Sequence, residues 1–263
     1  MKVLIIGDIV GAPGRNAVKA LVPILKQRHK IDFVIANCEN VAGGAGVTPR
    51  TAQELLDAGA DMLTSGQHIW KFREIGPYMD QEPRLLKPAN YPPATPGFGA
   101  HVYPAKNGTK VGVINLLGRV FMGVEELDDP FRVGTRLIDE LRKQTPIVVV
   151  DMHAEATSEK VVMGWFLDGK VSAVVGTHTH IQTADERILP KGTAYLTDLG
   201  MTGPYDSVIG RKVEPVLEKF LTGMPNRYEV AEGNVILCGA IVEVDERTGK
   251  AMKIERVQEK FGD

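Results

Sequence analysis

Residues 3–6, 33–36, 62–64, 111–116, 147–150, 172–175 and 194–196 form short, nearly continuous apolar runs, most of them rich in β-branched residues. Strands of this kind are covered on both faces, since a strand with one wet face alternates apolar and polar residues. Helix-like segments separate them. Thr48 and Pro49 open one, with Leu55 and Leu56 inward and Gly59 at its end. Asp129 and Pro130 open another, with Leu137, Ile138 and Leu141 on one stripe and Pro146 beyond. Thr157 or Ser158 starts a third, carrying Val162, Trp165 and Phe166 at helical spacing, with Gly169 after it. A fourth covers 13–29, where Pro23 predicts a kink or a break. This alternation predicts an α/β fold. The proline-rich stretch 87–108 reads as a long surface loop, and 234–244 with 251–257 reads as a hairpin around 245–249. No repeat or linker divides the chain, so a single domain over 1–263 is expected.

Composition narrows the function classes. A net charge of −2 gives no bulk attraction to nucleic acid or to an anionic membrane, so neither is expected as the main ligand. Two cysteines are too few for a disulfide framework and suit a reducing compartment. The opening MKVLIIGDIV has an apolar run too short for a signal peptide, and no stretch reaches transmembrane length. A cytoplasmic protein is expected. The glycines of 7–14 lack the Gly-Lys-Ser/Thr of a P-loop and the spacing of a dinucleotide fingerprint, and no Gly-x-Ser-x-Gly elbow occurs.

The polar residues fall in one place relative to the strands. Gly7-Asp8 follows the first run, Asn37-Cys38-Glu39-Asn40 the second, and Ser65-Gly66-Gln67-His68 the third. Asp151-Met152-His153 follows 147–150, and Gly-Thr-His-Thr-His at 176–180 follows 172–175. Ligands of open α/β sheets bind at the carboxyl ends of strands. Taken singly, each of these residues has an ordinary alternative: Asp8 as a turn residue, His68 as a helix cap, His153 as a satisfied core histidine. Five such endings together point to a metal site. If 176–180 is extended, His178 and His180 share a face and aim at one point. Oxygen and imidazole ligands suit iron, manganese or zinc and disfavour calcium. The candidates outnumber the four of one tetrahedral zinc, so two metals sharing a carboxylate use them better. Cys38 should face away from Glu39, into the core.

The same residues, in the same order, resemble the calcineurin-like binuclear metallophosphoesterases: Gly7-Asp8, Glu39-Asn40, Gly66-Gln67-His68, His153 and Gly176-Thr177-His178-Thr179-His180. Val10 stands where that superfamily's first-motif histidine would be, and Glu39 replaces its bridging aspartate. Both departures are shared by the YmdB-type bacterial phosphodiesterases, which this chain resembles almost end to end, including GDIVG, NCEN and TDLGMTGP at 197–204. That branch has asparagine where this chain has Gln67. The resemblance implies a sandwich of two mixed β-sheets flanked by helices and two transition metal ions, iron first, with manganese or zinc as alternatives. One ion would take Asp8, Glu39, Asn40 and His180, and the other Glu39, Gln67, His153 and His178, with Glu39 bridging. His68 would lie over the substrate rather than bind metal. The implied substrate is a small phosphodiester, a cyclic nucleotide, with the 2′,3′-cyclic class ahead of the 3′,5′. A water activated between the ions would attack phosphorus, and His68 would protonate the leaving oxygen as general acid. Two alternatives stay open: a phosphomonoesterase such as a nucleotidase, and a regulatory binding protein that retains the metal site. Residues 202–206 and Arg119 are candidates to line the pocket, Arg119 being equally readable as a surface arginine. A homo-oligomer is expected on general grounds.

Overall fold

The computed structural model describes residues 1–262. The first half runs β1 (Lys2–Ile6), β2 (Asp8–Ile9), α1 (Gly11–His29), β3 (Phe33–Asn37), α2 (Pro49–Asp57), β4 (Met62–Thr64), a 3₁₀ turn (Gln67–Lys71), α3 (Ile75–Met79), β5 (Ala100–Pro104) and β6 (Lys110–Leu117). It continues through α4 (Pro130–Leu141), β7 (Val148–His153), α5 (Thr157–Leu167), β8 (Ala173–Thr177), β9 (Arg187–Ile188) and β10 (Ala194–Leu196). The chain closes with β11 (Met201–Pro204), α6 (Val213–Thr222), β12 (Val235–Val244) and β13 (Ala251–Phe261).

Two mixed sheets form. One is ordered β2-β11-β12-β1-β3-β4, with β13 also on β12, and the other β5-β6-β7-β8-β10-β9. The first is parallel across β1, β3 and β4, the second across β6, β7, β8 and β10. Val3, Ile5, Phe33 and Ile35 from the first sheet share a buried cluster with Val111, Val113, Val149 and Val175 from the second, so the sheets pack face to face. The outer face of the first sheet is covered by α1 and α2 through Val18, Leu25 and Leu55, and that of the second by α4 and α5 through Ile138, Met163 and Leu167. Strands buried on both faces explain the unbroken apolar runs. The expected sandwich of two mixed sheets flanked by helices is the observed fold.

The end signals act as anticipated at two helices. Thr48 accepts a hydrogen bond from the Thr51 amide at the start of α2, and Asp129 accepts from Phe131 and Arg132 at the start of α4. Other expectations need correction. Helix α1 runs unbroken through Pro23, because that residue sits on the exposed face, where the carbonyl it leaves unpaired meets water. The stretch 87–108 is not all surface loop. Its end forms β5, an edge strand antiparallel to β6, and Lys87 and Asn90 are buried. On α5, Val162, Trp165 and Phe166 face outward, whereas Lys160, Met163, Gly164 and Leu167 face in. Gly164 permits this: a Cβ there would stand 2.4 Å from the Tyr195 ring. The hairpin 234–257 forms as expected, as β12 and β13.

Candidate metal centre

The carboxyl ends of β1, β3 and β4 in one sheet and of β7 and β8 in the other meet at one rim of the sandwich. Asp8 is brought there by Gly7, where a Cβ would lie 1.9 Å from the Gly200 carbonyl oxygen, and is fixed in β2 by parallel pairing with Met201. Glu39 and Asn40 follow β3. The side chain of Asn37 accepts from the Glu39 amide at 3.1 Å and sets its direction. Cys38 is buried in the apolar cluster under α1 and α2. Gly66 ends the turn after β4, and a Cβ there would fall 1.6 Å from Glu39 Oε2 and 2.3 Å from His153 Nε2, so only glycine leaves room for them. His153 is the last residue of β7, which runs further than its apolar run suggested.

Asp8, Glu39 and His153, all fully buried, each offer a ligand atom, and these lie within 4.8 Å of one another. The contacts continue outward on two sides. His178 Nδ1 is 3.1 Å from His153 Nε2 and 3.4 Å from Gln67 Nε2. His180 Nε2 is 3.2 Å from Asn40 Nδ2 and 4.0 Å from Asp8 Oδ1. His68 turns its Nδ1 to Glu39 Oε1 at 2.9 Å and to Asn40 Oδ1 at 3.3 Å, and its amide also donates to that Glu39 oxygen. Its ring is half exposed at the rim. The structure therefore brings all eight candidate residues to one place.

The two imidazoles of 176–180 do not converge by strand alternation. Strand β8 stops at Thr177, and His178 and His180 have φ of 99° and 67°. The left-handed backbone sends one ring toward His153 and the other toward Asn40. Such conformations cost about 1–3 kcal/mol each in non-glycine residues and persist where surrounding bonds fix them. Here Asp8 Oδ2 accepts from the His178 amide at 2.9 Å, and Asp198 Oδ2 accepts from the Thr179 hydroxyl at 2.7 Å. Asp198 is itself held by buried Lys160 at 2.7 Å, the residue that α5 turns inward.

Hydrogen bonds behind the rings select their tautomers. Thr177 donates its hydroxyl to Asp151 at 2.7 Å and so accepts from His153 Nδ1 at 2.8 Å, which leaves Nε2 facing the cluster. His180 Nδ1 donates to the Ile209 carbonyl at 3.0 Å, which leaves its Nε2 toward Asn40 and Asp8. His178 has its Nε2 3.0 Å from Glu155 Oε2, which leaves Nδ1 toward His153. Metal-binding histidines show this same division of labour between their two nitrogens.

The electrostatics are those of a buried cluster that could hold a cation. Burial raises the Asp8 carboxyl above its ordinary value, opposed by His180 and His153. Burial also opposes ionisation of Glu39, but His153 and His68 outweigh it and hold the carboxyl well below the usual range. Burial lowers and Glu39 raises the His153 imidazole, with a net rise to about 9. His178 is pushed down to about 3 by burial and by the neighbouring His153. Asp8 Oδ1 and Gln67 Oε1 are buried with no hydrogen-bond partner, and Glu39 Oε2 has only His153 Nε2, 2.5 Å away. Buried oxygens left bare cost free energy unless something positive satisfies them. A hard or borderline cation fits this donor set of carboxylate and amide oxygens with imidazole nitrogens.

These groups border a cavity of about 300 Å³ lined by Glu39, Asn40, His68, His178 and His180, together with Gly44, Glu155, Thr179, Ile209 and Arg211. Sequence reasoning missed Glu155, Ile209 and Arg211, because nothing in their local pattern distinguishes them from surface residues. Arg119 is not among the lining residues. It pairs with Asp129 at 3.0 Å beside α4. Thr202 is buried, with its hydroxyl 3.2 Å from the Cys238 carbonyl, so it lies behind the cavity wall. A larger hollow of about 920 Å³ lies between α4 and α5 and contains none of the converging candidate residues.

The chain is similar over nearly its whole length to known proteins. A family model described as YmdB-like protein matches residues 4–257. The 2′,3′-cyclic-nucleotide 2′-phosphodiesterase of Bacillus subtilis (strain 168) is 51% identical over 257 residues, covering 98% of this chain and 96% of that one. Among solved structures, a hypothetical protein from Thermus thermophilus superposes with a TM-score of 0.91 at 40% identity, covering 99% of both chains. A novel phosphatase from Mycoplasma pneumoniae also gives 0.91, at 34% identity, covering 99% of this chain and 93% of that one.

Proposed function

This chain belongs to the YmdB-like protein family, and from that premise we propose that it is a metal-dependent phosphodiesterase that hydrolyses cyclic nucleotides, the 2′,3′-cyclic class first. The observation that carries this reading is the buried trio Asp8, Glu39 and His153, whose ligand atoms all lie within 4.8 Å of one another. The name of the Bacillus relative supports the substrate class.

The family implies divalent metal ions, and the residues present fit them. In this reading Asp8, Asn40 and His180 would hold one ion, Gln67, His153 and His178 would hold a second, and Glu39 would serve both. Two ions are supported by the contacts spreading to both sides of Glu39. The mixed oxygen and nitrogen ligands support iron, then manganese or zinc. When bound, such ions supply Lewis acidity toward phosphoryl oxygens and lower the pKa of water to about 7.

His68 is the catalytic residue in this reading. Its Nδ1 faces the acceptors Glu39 Oε1 and Asn40 Oδ1, which fixes the proton there and leaves Nε2 to exchange a proton with the leaving oxygen. Half exposure at the rim supports this over coordination, since the candidate ligands Asp8, Glu39 and His153 are fully buried. Glu39 thus orients the acid as well as holding charge.

No described helix is long and apolar enough to cross a membrane. The free buried thiols of Cys38 and Cys238 support residence in a reducing compartment, the cytoplasm in this reading. A homo-oligomer belongs to the same reading, supported by exposed Leu217, Phe220 and Leu221 on α6, and light scattering tests it.

The deciding experiment is turnover of 2′,3′-cyclic AMP and bis-p-nitrophenyl phosphate against p-nitrophenyl phosphate, with metal content measured on the same sample. Diester turnover well above monoester turnover is expected. A metal-loaded protein that cleaves only the monoester would replace this reading with a phosphomonoesterase, and one that cleaves neither would leave a binding protein.

A further inference from the structure

Arg211 is the one guanidinium lining the metal cavity, and among the described residues it makes no ion pair. Its Nη1 donates to the Gly43 carbonyl at 3.1 Å and its Nη2 to that of Gly44. Those two bonds use two of five N–H donors. Burial alone pushes its pKa below the ordinary value, with no neighbouring acid to offset it. A partly desolvated charge without a counter-charge is costly, and such groups cluster where a ligand supplies the missing charge.

The fold makes room for this arginine. Gly44 has φ of 85°, and a Cβ there would stand 2.3 Å from Arg211 Nη1 and 2.7 Å from its Cζ. Arg211 also closes the two-residue turn Ile209-Gly210, with φ of 46° and 93°, bridged by mutual amide–carbonyl bonds between Val208 and Arg211. The carbonyl of Ile209 in that turn is the acceptor that fixes His180. One rigid turn therefore sets both a candidate metal ligand and a free guanidinium at the same opening.

We propose that Arg211 is a substrate-binding residue whose guanidinium pairs with a non-bridging phosphate oxygen, fixing the phosphoryl group against the metal ligands. The proposal rests on the phosphodiesterase reading for its substrate but predicts anion binding that can be measured without turnover. A guanidinium suits this task because its planar fork meets two phosphate oxygens at once.

The test uses the metal-loaded full chain and inorganic phosphate as the probe, followed by calorimetric titration, with the kinetics of 2′,3′-cyclic AMP measured in parallel. Arg211→Met should weaken phosphate binding and raise KM, each by about 10–100-fold, from the usual worth of a charge-assisted hydrogen bond. Metal content and melting temperature should match the wild type. Arg211→Lys should recover part of the loss. Gly44→Ala, whose methyl group displaces the guanidinium, should reproduce the phosphate defect and serves if Arg211→Met folds poorly. Unchanged phosphate affinity in Arg211→Met, no phosphate binding by the wild type, or weakening that only follows loss of metal would each overturn the proposal. Phosphate binding that needs Arg211 in a protein that cleaves no diester would remove the phosphodiesterase reading and keep this one. Diester turnover with phosphate binding indifferent to Arg211 would do the reverse.

Discussion

Glu155 Oε2 lies 3.0 Å from His178 Nε2, across the ring from the Nδ1 that faces His153. The carboxylate thus holds the proton on Nε2 and turns the lone pair of Nδ1 toward the cluster. Removing such an outer partner usually costs about 10–100-fold in metal affinity. Glu155→Ala should show that loss in competition titrations against a chelator. Its metal-free stability should be nearly unchanged, because Glu155 is half exposed.

In the proposed reading His68 serves the chemistry and not metal binding. Replacing it by glutamine should lower turnover by about 10²–10⁴-fold, the range of general acid catalysis, at wild-type metal content. Turnover near that of the wild type would reduce His68 to a member of the 3₁₀ turn.

Gly66→Ala should abolish metal loading. Its methyl group would occupy the space of Glu39 Oε2 and His153 Nε2, both anchored in a buried network that cannot retreat. Elemental analysis should find the protein largely empty of metal, while circular dichroism should show the sandwich intact.

The buried pair Lys160–Asp198 should be costly to break and cheap to remove whole. Lys160→Met leaves Asp198 charged and unpaired and should cost about 3–5 kcal/mol in denaturant unfolding. Adding Asp198→Asn should restore much of that stability. It should not restore activity, because Asp198 also holds the Thr179 hydroxyl between the two histidines.

Chelation should lower the melting temperature. An ion bound only by the folded state stabilises by about 2.7 kcal/mol at a hundredfold excess over its dissociation constant. Here it would also satisfy Asp8 Oδ1, a buried carboxylate oxygen that no hydrogen bond reaches. Differential scanning calorimetry with and without EDTA measures the shift, and identical traces would count against a metal centre.

The strands and their order of chemistry could be read from the chain alone. Val3–Ile6 and Ile147–Val150 are apolar without alternation because both their faces are covered, and that is a local signal. Asp8, Glu39, His153, His178 and His180 stood out because each follows such a run, where the backbone leaves the sheet and polar groups can gather. Propensity could not show that Pro23 sits harmlessly on a wet helix face, nor that α5 turns Lys160 inward and Trp165 outward. Both outcomes depend on what lies opposite: solvent in one case, Asp198 and Tyr195 in the other. The left-handed backbone of His178 and His180 was equally hidden, since it is held by Asp8, which accepts from the His178 amide, 170 residues away, and by Asp198, which accepts from Thr179, 19 residues away. Arg211 and Glu155 carry no motif at all. The sequence by itself determined which residues could bind a cation and which strands would deliver them. Only the tertiary structure decided which atoms face one another and which charges remain unpaired, because those depend on the packing of distant segments rather than on the order of neighbours along the chain.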